Sequence, residues 1–542
     1  MKVSAAIAEI LKREGVDIIF GYPRNAVLEA AAEAGIRPII VRQERTGLHM
    51  ADAMSRLTRG RRMGVFAMQH GPGAENAYGG VAQAWSESVP LLVLPQGYAR
   101  RLAHVPDNYN SVRSMRDITK SAEPITEAGE TANIMRRAFT QLRNGRLRPV
   151  LVEMPWDLLG EALPAPLDYR PVVRTRSAPD PDAVRQAAAM LVAAEQPVIF
   201  AGQGVHWAEA YDELKALAEL LGAPVGTSLA GKSSFDETHP LALGAGGAAV
   251  PGQLRHFLDA ADVILGIGCS FSETAFGVRM PAGKRIIHAT LDPADLNKSL
   301  VCEQALIGDA KLSLAMLVDA CRDLIAAPRD PGPAMREIAA VEAAWMTSWL
   351  PLLNSDETPL NPFRVLWELQ QIVDKANTII THDAGSPRDQ LTPFWKSVAP
   401  LSYIGWGKTT QLGYGLGLAM GAKLACPDKL CINVWGDAAI GFTGMDFETG
   451  VRERIPILSI LLNNSAMAVE LDQMPVATER YRSTDISGDY AALARALGGH
   501  GERVTDVAQI APAIRRGIAA TEAGRPALVE FITAKEQRAS RL

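Results

Sequence analysis

A chain of 542 residues is too long for one hydrophobic core and is expected to divide into about three domains of ordinary size. With 48% hydrophobic and 21% charged residues it has the composition of a soluble globular protein, and a net charge of −5 excludes the basic footprint that nucleic acid requires. Five cysteines lie scattered without metal spacing, an odd number that fits a reducing compartment better than a disulfide scaffold.

From the first residue the chain runs into an amphipathic helix pattern over 5–14, without the long apolar core of a signal peptide. No apolar run is long enough to span a bilayer, so the expectation is a cytoplasmic protein with no membrane partner. A strand is predicted at 18–20, a turn at Gly21-Tyr22-Pro23, a helix at 26–34, a strand at 38–41 and a helix from about Thr46. Further strands are predicted at 63–68, 91–95 and 150–153. Such alternation implies a parallel sheet covered on both faces. A linker rich in Pro and Arg, 167–181, leads to a second α/β block with strands at 197–201, 224–226, 263–266 and 285–290. Prolines at 328–335 mark the next change. The third block carries strands at 378–381, 430–435, 457–462 and 527–531. The reading is therefore α/β, three doubly wound parallel-sheet domains at 1–166, 180–328 and 358–534.

Chemistry concentrates in the third block. The apolar strand 430–435 ends in Gly436-Asp437-Ala438-Ala439, a helix is expected over 445–452, and the next strand ends in Asn463-Asn464. This βαβ unit puts a carboxylate and two carboxamides at the C-terminal ends of neighbouring strands, where open α/β sheets bind ligands. Asp437 and Asn464 offer the oxygen donors that Mg²⁺ prefers, and small residues at 438 and 439 let backbone N–H groups approach a phosphate. An ordinary strand-turn-helix-strand that happens to contain Asp and Asn is the bland alternative.

At these residues the chain resembles the thiamine diphosphate enzymes, whose signature is Gly-Asp-Gly followed some two dozen residues later by Asn-Asn. Ala438 stands where the second glycine is usual. The three-block plan resembles the acetohydroxyacid-synthase branch, with pyrimidine-binding, middle and diphosphate-binding domains in that order. The resemblance implies thiamine diphosphate held through Mg²⁺ on Asp437, Asn464 and the carbonyl of Ala466, with Gly436, Ala438, Ala439 and Met467 around it. It leaves ADP or a flavin as candidate ligands of the middle domain.

The same resemblance reaches the first block. Arg42-Gln43-Glu44-Arg45-Thr46-Gly47 closes a strand and opens a helix. Glu44 alone reads as a first-turn acid favoured by the helix dipole. In the family a Glu here shares a proton with N1′ of the aminopyrimidine, which makes Glu44 the activating acid. Gln69-His70-Gly71-Pro72-Gly73-Ala74-Glu75-Asn76 supplies a tight turn that relatives place beside cofactor and substrate, with Pro23, Gly73 and Asn76 as contacts. His70 is either a structural residue or a donor to substrate, and Gln96 is a further residue of that cleft. In the third block Leu412, after Gln411, matches the bulky residue that wedges between the cofactor's rings. Core packing would equally explain a leucine there. Asp383 and Gly385 match positions that touch the diphosphate.

Three departures bear on the substrate. The run 465–473 lacks the Trp of acetohydroxyacid synthases, 268–274 lacks their Arg-rich character, and Glu470 stands on a segment that relatives keep apolar. Glu470 is a surface residue on a short helix or a proton carrier at the reacting centre. The second option resembles the 2-hydroxyacyl-CoA lyases, and the expectation is cleavage of a 2-hydroxyacyl-CoA to formyl-CoA and an aldehyde or ketone. Arg100, Arg101, Arg279, Lys284 and Lys408 are the cations available for a CoA thioester. The alternative is acetolactate-synthase-like decarboxylation and carboligation of pyruvate or another 2-oxo acid. A third reading is a non-catalytic protein on the same fold, against which Glu44, Asp437 and Asn464 argue. Family sites are shared between chains, so a homodimer or homotetramer is expected.

Overall fold

The computed structural model describes residues 1–541. Three six-stranded parallel sheets form the scaffold. The first contains β1 (Ile18–Gly21), β2 (Arg37–Ile40), β3 (Gly64–Met68), β4 (Leu91–Gly97), β5 (Ser121–Pro124) and β6 (Val150–Pro155), in the order β2-β1-β3-β4-β6-β5. The second contains β7 (Pro197–Ala201), β8 (Val225–Ser228), β9 (Ala242–Gly246), β10 (Val263–Ile267), β11 (Arg285–Thr290) and β12 (Gln304–Ile307), in the order β12-β11-β10-β7-β8-β9. The third contains β13 (Thr378–His382), β14 (Tyr403–Ile404), β15 (Leu430–Gly436), β16 (Leu458–Asn463), β17 (His500–Val504) and β18 (Ala527–Ile532), in the order β14-β13-β15-β16-β18-β17. Position for position, the outer sheets share one topology.

The central strands are Val-, Ile- and Leu-rich because helices cover both faces. Every residue of β3, β7, β10, β13 and β16 is buried. The strands that the hydrophobic pattern does not reveal, β5, β9, β12, β14 and β17, are all edge strands. With a neighbour on one side only, such strands tolerate Ser, Glu, Gly and Arg, and the apolar signal fades. One helix also differs from expectation. Helix Asp437–Thr443 starts directly at the end of β15, and a single 3₁₀ turn, Gly444–Asp446, joins it to helix Phe447–Arg452. Extended backbone at Gly436 ends the strand, and Asp437 is the acid of the helix's first turn.

The outer domains are welded together. Helix Glu44–Leu57 crosses helix Tyr414–Ala425 so closely that a Cβ at Gly421 would lie 2.3 Å from the Met50 carbonyl oxygen, and one at Gly417 2.6 Å from that of Thr46. Their shared core includes Phe20, Phe66, Trp406, Tyr414 and Trp435. Inside it Arg56 donates from Nε to Asp52 at 2.9 Å and from Nη1 to the Gly405 carbonyl at 3.1 Å, while the Tyr414 hydroxyl donates to Asp52. The middle domain keeps a core of its own. Helix Gly332–Leu353 leads from it to the third sheet, stacks Trp345 on Phe394 and sets Trp349 edge-on to the same ring. All five cysteines are free thiols, and among the described residues no helix is long and apolar enough to cross a membrane.

Candidate active site

In the third sheet β15 and β16 lie side by side with Gly436 opposite Leu462. Their C-terminal ends therefore deliver Asp437 and Asn464 to one rim. Asp437 is buried; its Oδ1 accepts the Ala438 N–H at 3.0 Å, and its Oδ2 has no partner. Burial pushes this carboxyl above its usual range, against the opposing pull of the Ala438 N–H. The two asparagines divide their work. Asn463 is structural: it donates to Glu530 at 2.7 Å and accepts from the Ser465 N–H. Asn464 is half-buried and accepts the Ala466 N–H at 3.0 Å, across Ser465 with its positive φ of 56°. Ala466 is buried beneath that turn, whereas Met467 is exposed.

A divalent cation fits these residues. It would partner the orphaned Asp437 oxygen and reverse the cost of burying its charge. Among the described residues no cluster of three His, Cys, Asp or Glu side chains could hold a metal. A cation at this rim must therefore use Asn464, a backbone carbonyl and the oxygens of an anionic ligand. Ala439 is buried in the first turn of the following helix, behind Ala438.

Asp383, assigned by resemblance to the diphosphate, is already hydrogen-bonded within the protein. Its fully buried carboxylate accepts N–H groups from Ala384 at 2.8 Å and from Gly413 and Gly415 at 2.9 Å each. Gly385 has φ +80°, and a Cβ there would lie 3.8 Å from Val469. Leu412, next to Gly413, is half-buried against the core shared by the outer domains. Gln411 donates to the Gly79 carbonyl at 2.7 Å.

In the first sheet Glu44 is buried at the start of its helix. Burial raises its carboxyl; the nearby Asn76 amide opposes the shift and Asp446 adds to it. A Cβ at Gly73 would stand 3.5 Å from Glu44 Oε1, so Glu44, Gly73 and Asn76 form one group. Pro23, His70 and Gln96 follow or close the adjacent strands β1, β3 and β4. Asn25 braces these ends by donating to the carbonyls of Met68 (2.8 Å) and Leu94 (3.1 Å). His70 packs on Tyr98 with its Nδ1 unpartnered, and burial lowers its pKa.

Glu470 is different. It lies exposed on the single turn Ala468–Glu470, and among the described residues its side chain has no ion pair or hydrogen bond. That is the surface position weighed against a proton carrier. Of the five cations named for CoA, Arg279 and Lys408 line one cavity in the middle of the molecule, while two others are engaged elsewhere. Arg100 is spent on Asp157 and Glu161, and Lys284 donates to the Asp259 carbonyl.

Sequence reasoning missed Asp446, which accepts the Arg42 N–H at 2.7 Å beside Glu44, and the Asp52–Arg56 pair. Asp52 and Arg56 are buried where the second helix packs over them, which spacing alone does not show. It also missed a cavity of about 800 Å³ among the three domains. The cavity opens at the ends of β7 and β10, where the strand order of the middle sheet reverses, the usual ligand position in such sheets. Gln203, Cys269, Phe271, Arg279, Lys408 and Arg541 are among its walls.

Profiles of known families match the chain in three places. Residues 1–119 match the N-terminal TPP binding domain of thiamine pyrophosphate enzymes, 184–317 the central domain and 383–531 the C-terminal TPP binding domain. A probable acetolactate synthase large subunit of Methanocaldococcus jannaschii is 30% identical over 98% of this chain and 92% of its own. The acetolactate synthase isozyme 3 large subunit of Escherichia coli (strain K12) is 27% identical over 91% of this chain and 88% of its own. The glyoxylate carboligase of Escherichia coli O157:H7 is 27% identical over 98% and 93%.

Proposed function

The chain belongs to the thiamine pyrophosphate enzymes, and from that membership we propose that it is an acetolactate-synthase-like carboligase acting on pyruvate or another 2-oxo acid. The observation that carries this reading is likeness over nearly the whole chain to acetolactate synthases and to a glyoxylate carboligase. It replaces the expectation of a 2-hydroxyacyl-CoA lyase. None of these relatives is named a lyase of CoA thioesters, and Glu470 stands exposed without a partner.

Bound thiamine diphosphate supplies the nucleophilic carbon on which the C–C bond is broken and made. The protein's residues bind and orient. Asp437 and Asn464, with the Ala466 carbonyl, would hold the Mg²⁺ that carries the diphosphate. Glu44 holds a proton at a buried carboxyl whose raised pKa suits proton sharing with an aminopyrimidine nitrogen. Leu412, half-buried beside Gly413, would pack against the bound cofactor. His70, with an unpartnered ring nitrogen at the end of β3, serves as a donor to substrate, and Pro23, Gln96 and Asn76 complete that side.

Two further parts of the reading concern partners. Phe442, Met445, Met467, Val469, Val476 and Tyr481, the last 76% exposed, are apolar side chains left open on the segments that follow β15 and β16. Such exposure calls for a second chain, and the active form is a homodimer or homotetramer with shared sites. The cavity of the middle domain takes a nucleotide, ADP or a flavin, at its switch point.

The deciding experiment compares turnover of the Mg²⁺-loaded protein with pyruvate against turnover with formyl-CoA plus a ketone. Carboligation of pyruvate and inert CoA substrates are expected. The reverse outcome would restore the lyase.

A further inference from the structure

Among the buried carboxylates, Asp383 occupies a place that direct ligand contact does not explain. It follows β13, and its own N–H donates to the Val434 carbonyl at 2.7 Å, three residues before Asp437. Its Oδ1 accepts the Gly413 N–H and its Oδ2 the Gly415 N–H, both at 2.9 Å. On the other side of the same residue, the Thr443 hydroxyl donates to the Gly413 carbonyl at 2.8 Å. The residue after Leu412 is thus gripped through both its N–H and its C=O.

The backbone there has no slack. Gly413 has φ +85°, and a Cβ would fall 2.8 Å from both Phe442 Cβ and Thr443 Oγ1. A Cβ at Gly415 would fall 2.1 Å from Asn433 Oδ1. From the first domain, Gln411 is tied to the Gly79 carbonyl. Leu412 is the one residue of the turn with a side chain between two anchored neighbours.

We propose that Asp383 is a positioning residue: it fixes the 412–413 turn, and through it the angle that Leu412 imposes on the bound cofactor, without touching the diphosphate. A carboxylate suits the task because it accepts from donors on several sides at once, in a buried site where each charge-assisted bond is strong. Asparagine has the same shape but one acceptor oxygen, so one of the anchoring N–H groups would face an NH₂.

This inference rests on the cofactor reading of the site, and the test separates the two. Calorimetry with Mg²⁺ compares two ligands, thiamine diphosphate and its thiazole fragment, which carries the same diphosphate but no pyrimidine. Asp383→Asn should weaken thiamine diphosphate by roughly five- to fiftyfold, the reach of one or two charge-assisted hydrogen bonds, and leave the fragment unchanged. Leu412→Ala should reproduce that selectivity, and the double variant should add nothing further. Thr443→Val should give a smaller effect with the same selectivity, which keeps the test open if Asp383→Asn folds poorly. Equal weakening of both ligands would return Asp383 to the diphosphate. A lowered melting temperature with both affinities intact would reduce it to a helix cap. Either result overturns the proposal, whereas failure of the parent to bind either ligand would overturn the cofactor reading itself.

Discussion

Glu87 and Lys408 belong to different domains, yet the Glu87 carboxylate accepts the Lys408 backbone N–H at 2.8 Å and that of Gly407 at 3.2 Å. Helix Pro72–Ser86, which Glu87 follows, extends this clasp. Gln83 donates to the Thr409 carbonyl and accepts from its hydroxyl, and the Gly79 carbonyl takes Gln411. The first turn of the same helix faces Glu44. One rigid element therefore ties the surroundings of Glu44 in the first domain to the segment that carries Leu412.

Removing the clasp should cost stability. Glu87→Ala leaves two buried N–H groups unpaired, a penalty of about 1–3 kcal/mol each, while Glu87→Gln keeps an acceptor and should cost less than ~1 kcal/mol. Thermal unfolding of the two variants measures the difference. Equal midpoints for the alanine and glutamine variants would show that water replaces the carboxylate.

Asp437→Ala should abolish Mg²⁺-dependent retention of thiamine diphosphate, and Asn464→Ala should weaken it strongly, because diphosphate charge then lacks its counter-ion. Asp437→Asn should fold at least as well as the parent, since burial already disfavours the charged form. Cofactor affinity in Asp437→Ala matching the parent's would remove the residue from the metal site.

Glu44→Gln keeps the shape of the side chain but loses its proton. Thiamine diphosphate should still bind, while exchange of the cofactor's C2 proton slows by about a hundredfold or more, the scale of one general acid–base group. Hydrogen exchange followed by NMR reads this directly. Unchanged exchange would pass the role to another acid.

Lys408, in the cavity wall, is held down to about 8 by burial, with Glu87 opposing the shift and Arg146 adding to it. Between that value and the ordinary 10.5 the unfolded chain binds more protons than the folded one. Stability should therefore rise as pH climbs through that window, and below it the charged lysine is a net cost. Lys408→Met should flatten the rise, as seen in melting temperatures across the window. A rise of the same size in the variant would place its source elsewhere.

Glu470→Ala should leave pyruvate turnover within about twofold of the parent, since an exposed carboxylate that water can replace carries little of a general acid–base effect. Steady-state rates test this. A loss of tenfold or more would make Glu470 a group of the reacting centre that a second chain encloses.

The α/β class and the three-block order follow from the sequence because buried parallel strands must be apolar on both faces. The runs at 197–201, 378–381 and 457–462 form central strands covered on both faces. The Asp437 and Asn464 positions were legible for a related reason: polar residues at the ends of such runs face the rim where ligands sit. The edge strands escaped for different reasons: β5, β12 and β17 carry polar residues, β9 is made mostly of alanine and glycine, and β14 is only two residues long. Only the tertiary structure decided the roles of groups whose partners lie far along the chain. The sequence alone does not show that the Asp383 carboxylate takes the Gly413 and Gly415 N–H groups, or that Tyr414 closes over Asp52 and Arg56. Periodicity reports which face of an element is buried. What it is buried against depends on the crossing of two helices that meet only because Gly417 and Gly421 leave room.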